Sequence, residues 1–165
     1  MEKRIPAPPP GWKFQAWEIL PGLFLSRRLI ESNGYESLGV DVIVALDDWE
    51  STWSPPVPTN HIYLHYPIED DDFVDGRARE VARFVANLVT AGNRVLVHCV
   101  QGLNRSAMVL ARAMMFLGQS PEHAIALIRE KRGLDEGFGA LGNEAFVKWL
   151  YAEHSSRPGN PERLD

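Results

Sequence analysis

The chain has 165 residues, 45% of them apolar, which is enough to bury one sizeable core and too few for two ordinary domains. A formal net charge of −5 leaves no electrostatic footprint for nucleic acid or an anionic membrane surface and disfavours generic polyanion binding. A single cysteine excludes an intramolecular disulfide. If its thiolate is put to chemical use, a reducing compartment is required, so the expected location is the cytoplasm.

In chain order, residues 1–16 read as an extended arm, charged and then proline-rich from Ile5 to Pro10, without the apolar stretch of a signal peptide. No run approaches the length of a membrane span. Residues 17–154 read as the folded domain and residues 155–165 as a flexible tail rich in Ser, Pro and Gly. Pro21-Gly22 introduces a short strand, Leu23 to Ser26. The β-branched run Val42 to Leu46, ending at Asp47-Asp48, is a buried strand by pattern, and Ile62 to Tyr66 and Arg94 to His98 are two more. Gly76 to Ala91 places Val81, Phe84, Val85, Leu88 and Val89 at helical spacing, closed by Gly92-Asn93. Ser106 to Leu117 is apolar nearly all round, as a helix buried against a sheet should be. Ser120-Pro121-Glu122 opens another helix that Gly133 closes, and Asn143 caps a last one with Phe146, Val147, Leu150 and Tyr151 on its apolar side. Strand and helix alternation of this kind implies an α/β fold, a small central, mostly parallel sheet flanked by helices. Trp12, Trp17 and Trp149 are expected to pack. Trp49 and Trp53 follow the Val42 to Leu46 strand, where they serve either as packing for their loop or as a rim to the pocket.

The informative segment is His98-Cys99-Val100-Gln101-Gly102-Leu103-Asn104-Arg105-Ser106, which directly follows the apolar run Val95 to Val97. A thiolate at a strand end, a loop whose backbone N–H groups can turn inward, and an arginine at the mouth of the next helix make a phosphate cradle with a nucleophile beneath it. Arg105 suits that task because its planar fork binds two phosphoryl oxygens at once. Ser106 can donate to the cysteine sulfur and stabilise the anion. An isolated cysteine in an apolar strand is more often inert core, but inert core needs neither Gly102 nor an Arg-Ser pair at this spacing.

Together with Tyr66-Pro67-Ile68-Glu69-Asp70 about thirty residues earlier, this segment resembles the dual-specificity branch of the protein tyrosine phosphatase superfamily, from roughly Glu18 to His154. Leu141-Gly142-Asn143-Glu144-Ala145-Phe146 is similar to that branch's Asn-x-x-Phe element, whose asparagine braces the active-site loops. The resemblance implies Cys99 as nucleophile and a phosphate loop of Val100, Gln101, Gly102, Leu103, Asn104 and Arg105. Ser106, His98 and Asn143 are implied as supporting residues. A general acid comes from the run Glu69-Asp70-Asp71-Asp72, Asp70 by register, with Asp72 in reserve. Such a mechanism needs no cofactor and no metal, although clustered carboxylates alone would also suit magnesium. His61, His65, His123 and His154 show no zinc spacing with one another or with Cys99.

The implied substrate is a phosphorylated protein or peptide, through phosphotyrosine and also phosphoserine or phosphothreonine, hydrolysed by a monomer. Relatives in the same superfamily act on phosphoinositides or RNA 5′-triphosphate ends. Val100, Gln101, Leu103 and Asn104 carry no charge for such polyanions, and the acidic run nearby would repel them. Outside catalysis, a non-catalytic phosphate-binding module would keep the same cradle. A rhodanese-like sulfurtransferase also uses a cysteine loop but would not account for Asp70 or the Arg105-Ser106 ending.

Overall fold

Gly22, at φ +79°, turns the chain between strands β1 (Ala16–Leu20) and β2 (Leu23–Ser26), which pair antiparallel, and Glu18 Oε1 accepts the Gly22 N–H at 2.9 Å. This computed structural model describes residues 14–29, 35, 38–48 and 56–156; the expectations for Trp12, Trp49, Trp53, most of the N-terminal arm and the tail after Ser156 lie outside them. Next come β3 (Val42–Ala45), β4 (Ile62–His65), helix α1 (Ala78–Thr90), β5 (Val95–His98), and helices α2 (Arg105–Phe116), α3 (Pro121–Arg132) and α4 (Glu144–Ser155). The sheet order is β1-β2-β5-β3-β4, with every pair parallel except β1 with β2.

The expected α/β class, with a small, mostly parallel sheet flanked by helices, is therefore observed. Strand β1 adds an antiparallel edge that the sequence pattern did not reveal. Its five residues, Ala-Trp-Glu-Ile-Leu, contain one β-branched side chain and only one fully buried position. What makes it a strand is the ladder that β2 offers it, a tertiary partner rather than a local preference.

Alternation along the central strands sorts side chains to two faces. Leu23, Leu25, Val42, Val44, Leu46, Val95, Val97 and Cys99 face the main core with the helices, while Phe24, Ile43 and Leu96 face a smaller cluster containing Leu29, Tyr35 and Val40. Cys99 thus continues the helix-side register of β5. The expectation of an all-round apolar α2 holds in an extreme form: Ser106 through Met115 are all buried.

One of those buried residues is charged. Arg112, 3% exposed, stacks over Phe116 with its Cζ 3.9 Å from the ring centroid, and its Nε donates to Glu153 Oε2 at 3.1 Å. Glu153 also receives the fork of Arg79, two bonds of 2.6 Å. These hydrogen bonds, the Arg79 bonds first, hold the Glu153 carboxyl below the usual carboxylate range despite the opposing effect of burial. One carboxylate on α4 so ties α1 and α2 together. Ser120 Oγ accepts from His123 N at 3.2 Å at the start of α3, and Asn143 Oδ1 accepts from Ala145 N at 3.0 Å at the start of α4. Tyr151, placed by periodicity on the apolar side of α4, is instead 39% exposed, whereas Phe146 and Leu150 are fully buried and Val147 and Trp149 pack partly against the core. No helix among the described residues is long and apolar enough to cross a membrane.

Candidate active site

Cys99 leaves the carboxyl end of the central strand β5, and five loop residues later the chain enters α2 at Arg105. The cysteine is 2% exposed, and its Sγ lies 3.1 Å from the wholly buried Ser106 Oγ. A hydroxyl at that distance can donate to a thiolate and stabilise it.

Each carbonyl of the loop is bonded away from the centre. Val100 O accepts from Arg28 N at 3.2 Å, Gln101 O from Arg132 Nη2 at 3.0 Å and Gly102 O from Arg132 Nε at 3.0 Å. Leu103 O accepts from Leu141 N at 2.8 Å, and Asn104 O from Met108 N inside α2 at 2.8 Å. Because a trans peptide is planar, the N–H of the next residue points opposite to each such carbonyl. None of the amides from Val100 to Arg105 donates to a described residue. Carbonyls bonded this way leave the amides that follow them unpaired among the described residues and facing the other way, an arrangement suited to an anion.

The start of α2 adds to it. Asn104 sits at the N-cap without capping the helix, since its side chain is used elsewhere, so the positive end of α2 is left for an anion. Arg105 Nη1 donates to Ile68 O at 3.2 Å, while its Nε is buried and without a partner among the described residues.

Asp70 reaches this loop through two asparagines. Asn104 Nδ2 donates to Asp70 Oδ2 at 3.0 Å and Asn143 Nδ2 to Asp70 Oδ1 at 2.8 Å. Asn143 Nδ2 also donates to Asp71 O at 2.9 Å, and Asn143 N to Asn104 Oδ1 at 3.2 Å. Among the four acids of that run, Asp70 is the one whose carboxylate is tied to the Cys99 loop. Asp71 Oδ1 accepts from the nearby Phe73 N at 2.9 Å instead, and no bond from the Glu69 or Asp72 side chain to the loop occurs among the described residues. Asn143, expected as a brace, contacts both loops. Asn104, expected only to line the cradle, is the second brace.

His98 is wholly buried, with Nδ1 3.3 Å from the equally buried Asp47 Oδ1, a close contact poorly aligned for a hydrogen bond. Burial pushes its pKa below the usual imidazole value, and Asp47 offsets part of that shift. His65 Nε2 donates to the Asp47 carbonyl at 2.7 Å. Asp47 is thus wholly buried beside His98, with its backbone carbonyl bonded to His65, which its place at a strand end did not disclose.

Arg132 is the principal residue the sequence reading missed. It is 4% exposed, lies with its Cζ 3.9 Å from the Trp17 ring centroid, and holds two loop carbonyls and Asp135 Oδ2, the last at 3.1 Å. Its signal was present but faint: Ala124, Ile128 and Arg132 form one stripe of α3 at four-residue spacing, so a cation falls on the buried face.

Gly102 has a structural reason as well. At φ +66° a Cβ would stand 2.7 Å from Ser26 O, so the loop seats directly on the end of β2. Gly102→Ala is expected to lower phosphatase turnover by about 10²-fold, because backbone displacement of the order of an ångström misplaces the loop amides. Steady-state kinetics with a small aryl phosphate checks this, and unchanged turnover would show that the loop tolerates the shift.

Residues 30–155 match the family model described as the dual specificity phosphatase catalytic domain. Dual specificity protein phosphatase 1B of Arabidopsis thaliana is 28% identical over 146 residues, covering 87% of this chain and 84% of that protein. Human dual specificity protein phosphatase 2 is 31% identical over 136 residues, covering 76% of this chain but 41% of that longer protein. Among solved structures, human DUSP28 superposes with a TM-score of 0.71 at 24% identity over 92% of this chain and 97% of that one, a likeness of fold. The matched domain spans most of the chain and includes the Cys99 loop, and the chain belongs to the dual specificity phosphatase family as a cysteine-based protein phosphatase.

Proposed function

We propose that the chain dephosphorylates proteins through a cysteinyl-phosphate intermediate, with residues 17–154 as the phosphatase unit. The observation that carries this reading is the bonding of all five loop carbonyls to other parts of the protein, which leaves the amides that follow Cys99 free to receive an oxyanion. Those amides and Arg105 hold three phosphoryl oxygens, and the thiolate attacks phosphorus in line with the ester oxygen. The S–P bond forms as the P–O bond breaks, and Asp70 gives its proton to the departing oxygen. Water then attacks phosphorus, Asp70 takes a proton from it, the S–P bond breaks, and inorganic phosphate leaves with the thiolate restored. Asn104 and Asn143 hold the Asp70 carboxyl so that one group serves both half-reactions.

The family match makes phosphotyrosine the leading substrate, with phosphoserine and phosphothreonine next. A chemically active thiolate with no second cysteine fits a reducing compartment such as the cytoplasm. A panel of phosphotyrosine, phosphoserine and phosphothreonine peptides, a phosphoinositide and triphosphorylated RNA, assayed on wild type and Cys99→Ser, tests the assignment. Phosphotyrosine peptides are expected to give the highest kcat/KM. A higher kcat/KM on the lipid or RNA would overturn the substrate class while leaving the mechanism intact.

A further inference from the structure

Residues 133–142, between α3 and α4, carry a feature that phosphate chemistry does not require. Asp135 and Phe138 exchange backbone hydrogen bonds at 2.8 and 2.9 Å around Glu136 and Gly137, whose φ values are +48° and +87°. Two central residues with positive φ define a type I′ turn, so this is a tight hairpin rather than a loose connection. Its base is pinned, because Asp135 Oδ2 accepts from Arg27 at 2.7 Å and from Arg132 at 3.1 Å. Arg132 in turn grips the Gln101 and Gly102 carbonyls, so hairpin and phosphate loop share one frame.

This fixed hairpin holds its two large apolar side chains in water. Leu134 is 74% exposed and Phe138 70%. A single exposed apolar residue means little. Among the described residues, however, the three large apolar side chains exposed by 70% or more are Leu134, Phe138 and Phe73, the last at 72% on the loop that bears Asp70. All three belong to segments bonded to the Cys99 loop, whereas Val57, Ile62 and Tyr151, exposed by 46% or less, lie elsewhere.

Charge narrows what could bind there. Glu69, Asp71, Asp72 and Glu136 are exposed on the same segments. Of the nearby cations, Arg27 and Arg132 are engaged by Asp135 and Arg77 by Asp75, Arg129 donates to the Ala140 and Leu141 carbonyls and the exposed Lys131 to the Glu18 carbonyl, while Arg28 is partly buried with its backbone on Val100. An apolar hairpin that also exposes Glu136, and an acidic Asp70 segment bonded to the same Cys99 loop, suit a polypeptide that is apolar and basic, and oppose an acidic one.

Resting on the phosphatase reading above, the geometry points to the Leu134–Phe138 hairpin as a substrate-docking element. It takes an apolar side chain flanking the phosphorylated residue of a polypeptide whose neighbouring basic residues meet these carboxylates. Because the hairpin is preorganised, little ordering is needed when the substrate arrives. A small aryl phosphate has no flanking residue for the hairpin to take, and that difference provides the test.

The variant Leu134→Ala/Phe138→Ala is to be assayed on an aryl phosphate and on two phosphotyrosine peptides, one flanked by Leu and Arg, the other by Gly and Asp. In the wild type the Leu/Arg peptide is expected to be preferred. In the variant its kcat/KM should fall by about tenfold, in the range of one apolar contact, with aryl phosphate turnover within twofold of wild type. Equal treatment of the two peptides by the wild type, or an undiminished preference in the variant, would overturn docking at the hairpin. Parallel loss on aryl phosphate and peptide would also overturn it, assigning the hairpin to support of the loop. Absence of turnover on every substrate in the wild type would overturn the phosphatase reading itself, and the docking role with it, a pattern distinct from the others.

Discussion

Cys99→Ser is expected to lower turnover of aryl phosphates and phosphotyrosine peptides by on the order of 10⁴-fold or more, because it removes the nucleophile while leaving the cradle around it intact. A serine hydroxyl is a far weaker nucleophile than a thiolate at neutral pH, and Cys99 Sγ is bonded to Ser106 Oγ rather than to a histidine that could act as its base. The phosphate-binding parts do not depend on sulfur. The loop carbonyls are held by Arg28, Arg132, Leu141 and Met108, so the arrangement of the loop amides should survive the substitution. The variant should therefore still bind phosphate and phosphopeptides, which calorimetry can measure beside a kinetic assay. Substantial turnover by Cys99→Ser would remove the cysteinyl-phosphate from the mechanism. Lost turnover with binding also lost would show instead that Cys99 shapes the loop.

Asp70→Asn is expected to slow turnover of substrates with poor leaving groups by roughly 10²–10⁴-fold and to flatten the basic limb of the pH–rate profile. Activated aryl phosphates, whose leaving groups depart without a proton, should suffer much less. That contrast is diagnostic, since a merely structural loss would affect both. The asparagine is nearly isosteric, and its carbonyl oxygen can still accept from one of the two amides that now converge on the carboxylate. Asp71→Asn and Asp72→Asn are the controls. Should Asp72→Asn carry the signature in place of Asp70→Asn, the acid is misassigned although the chemistry stands.

Much of this molecule is legible in one dimension. The run Val95 to Val97 followed by Cys99, an arginine six residues after that cysteine, and a long apolar stretch beyond it describe a buried strand, an anion-binding loop and a buried helix, because each element's period and end signals are local. Helices α3 and α4 begin at Ser120 and Asn143 for the same reason, since caps act within a few residues. Strand β1 was not legible. Its hydrogen bonds belong to β2, and nothing within Ala16 to Leu20 requires them.

Relations between distant residues were decided by tertiary structure alone. By itself the sequence determined the α/β class, the cysteine loop and a short list of acids, because these rest on residue type and spacing. Folding decided which acid meets the loop, through Asn104 and Asn143, 34 and 73 positions from Asp70. It also decided what holds the loop carbonyls, since Arg132, 30 residues beyond Gly102, and Leu141 take carbonyls whose partners no local pattern encodes. The same holds for Arg27 and Asp135, 108 residues apart, whose pairing fixes the hairpin beside the loop. The reason is physical: periodicity reports which face of an element is buried, whereas a buried polar group must find a partner wherever the fold brings one within reach.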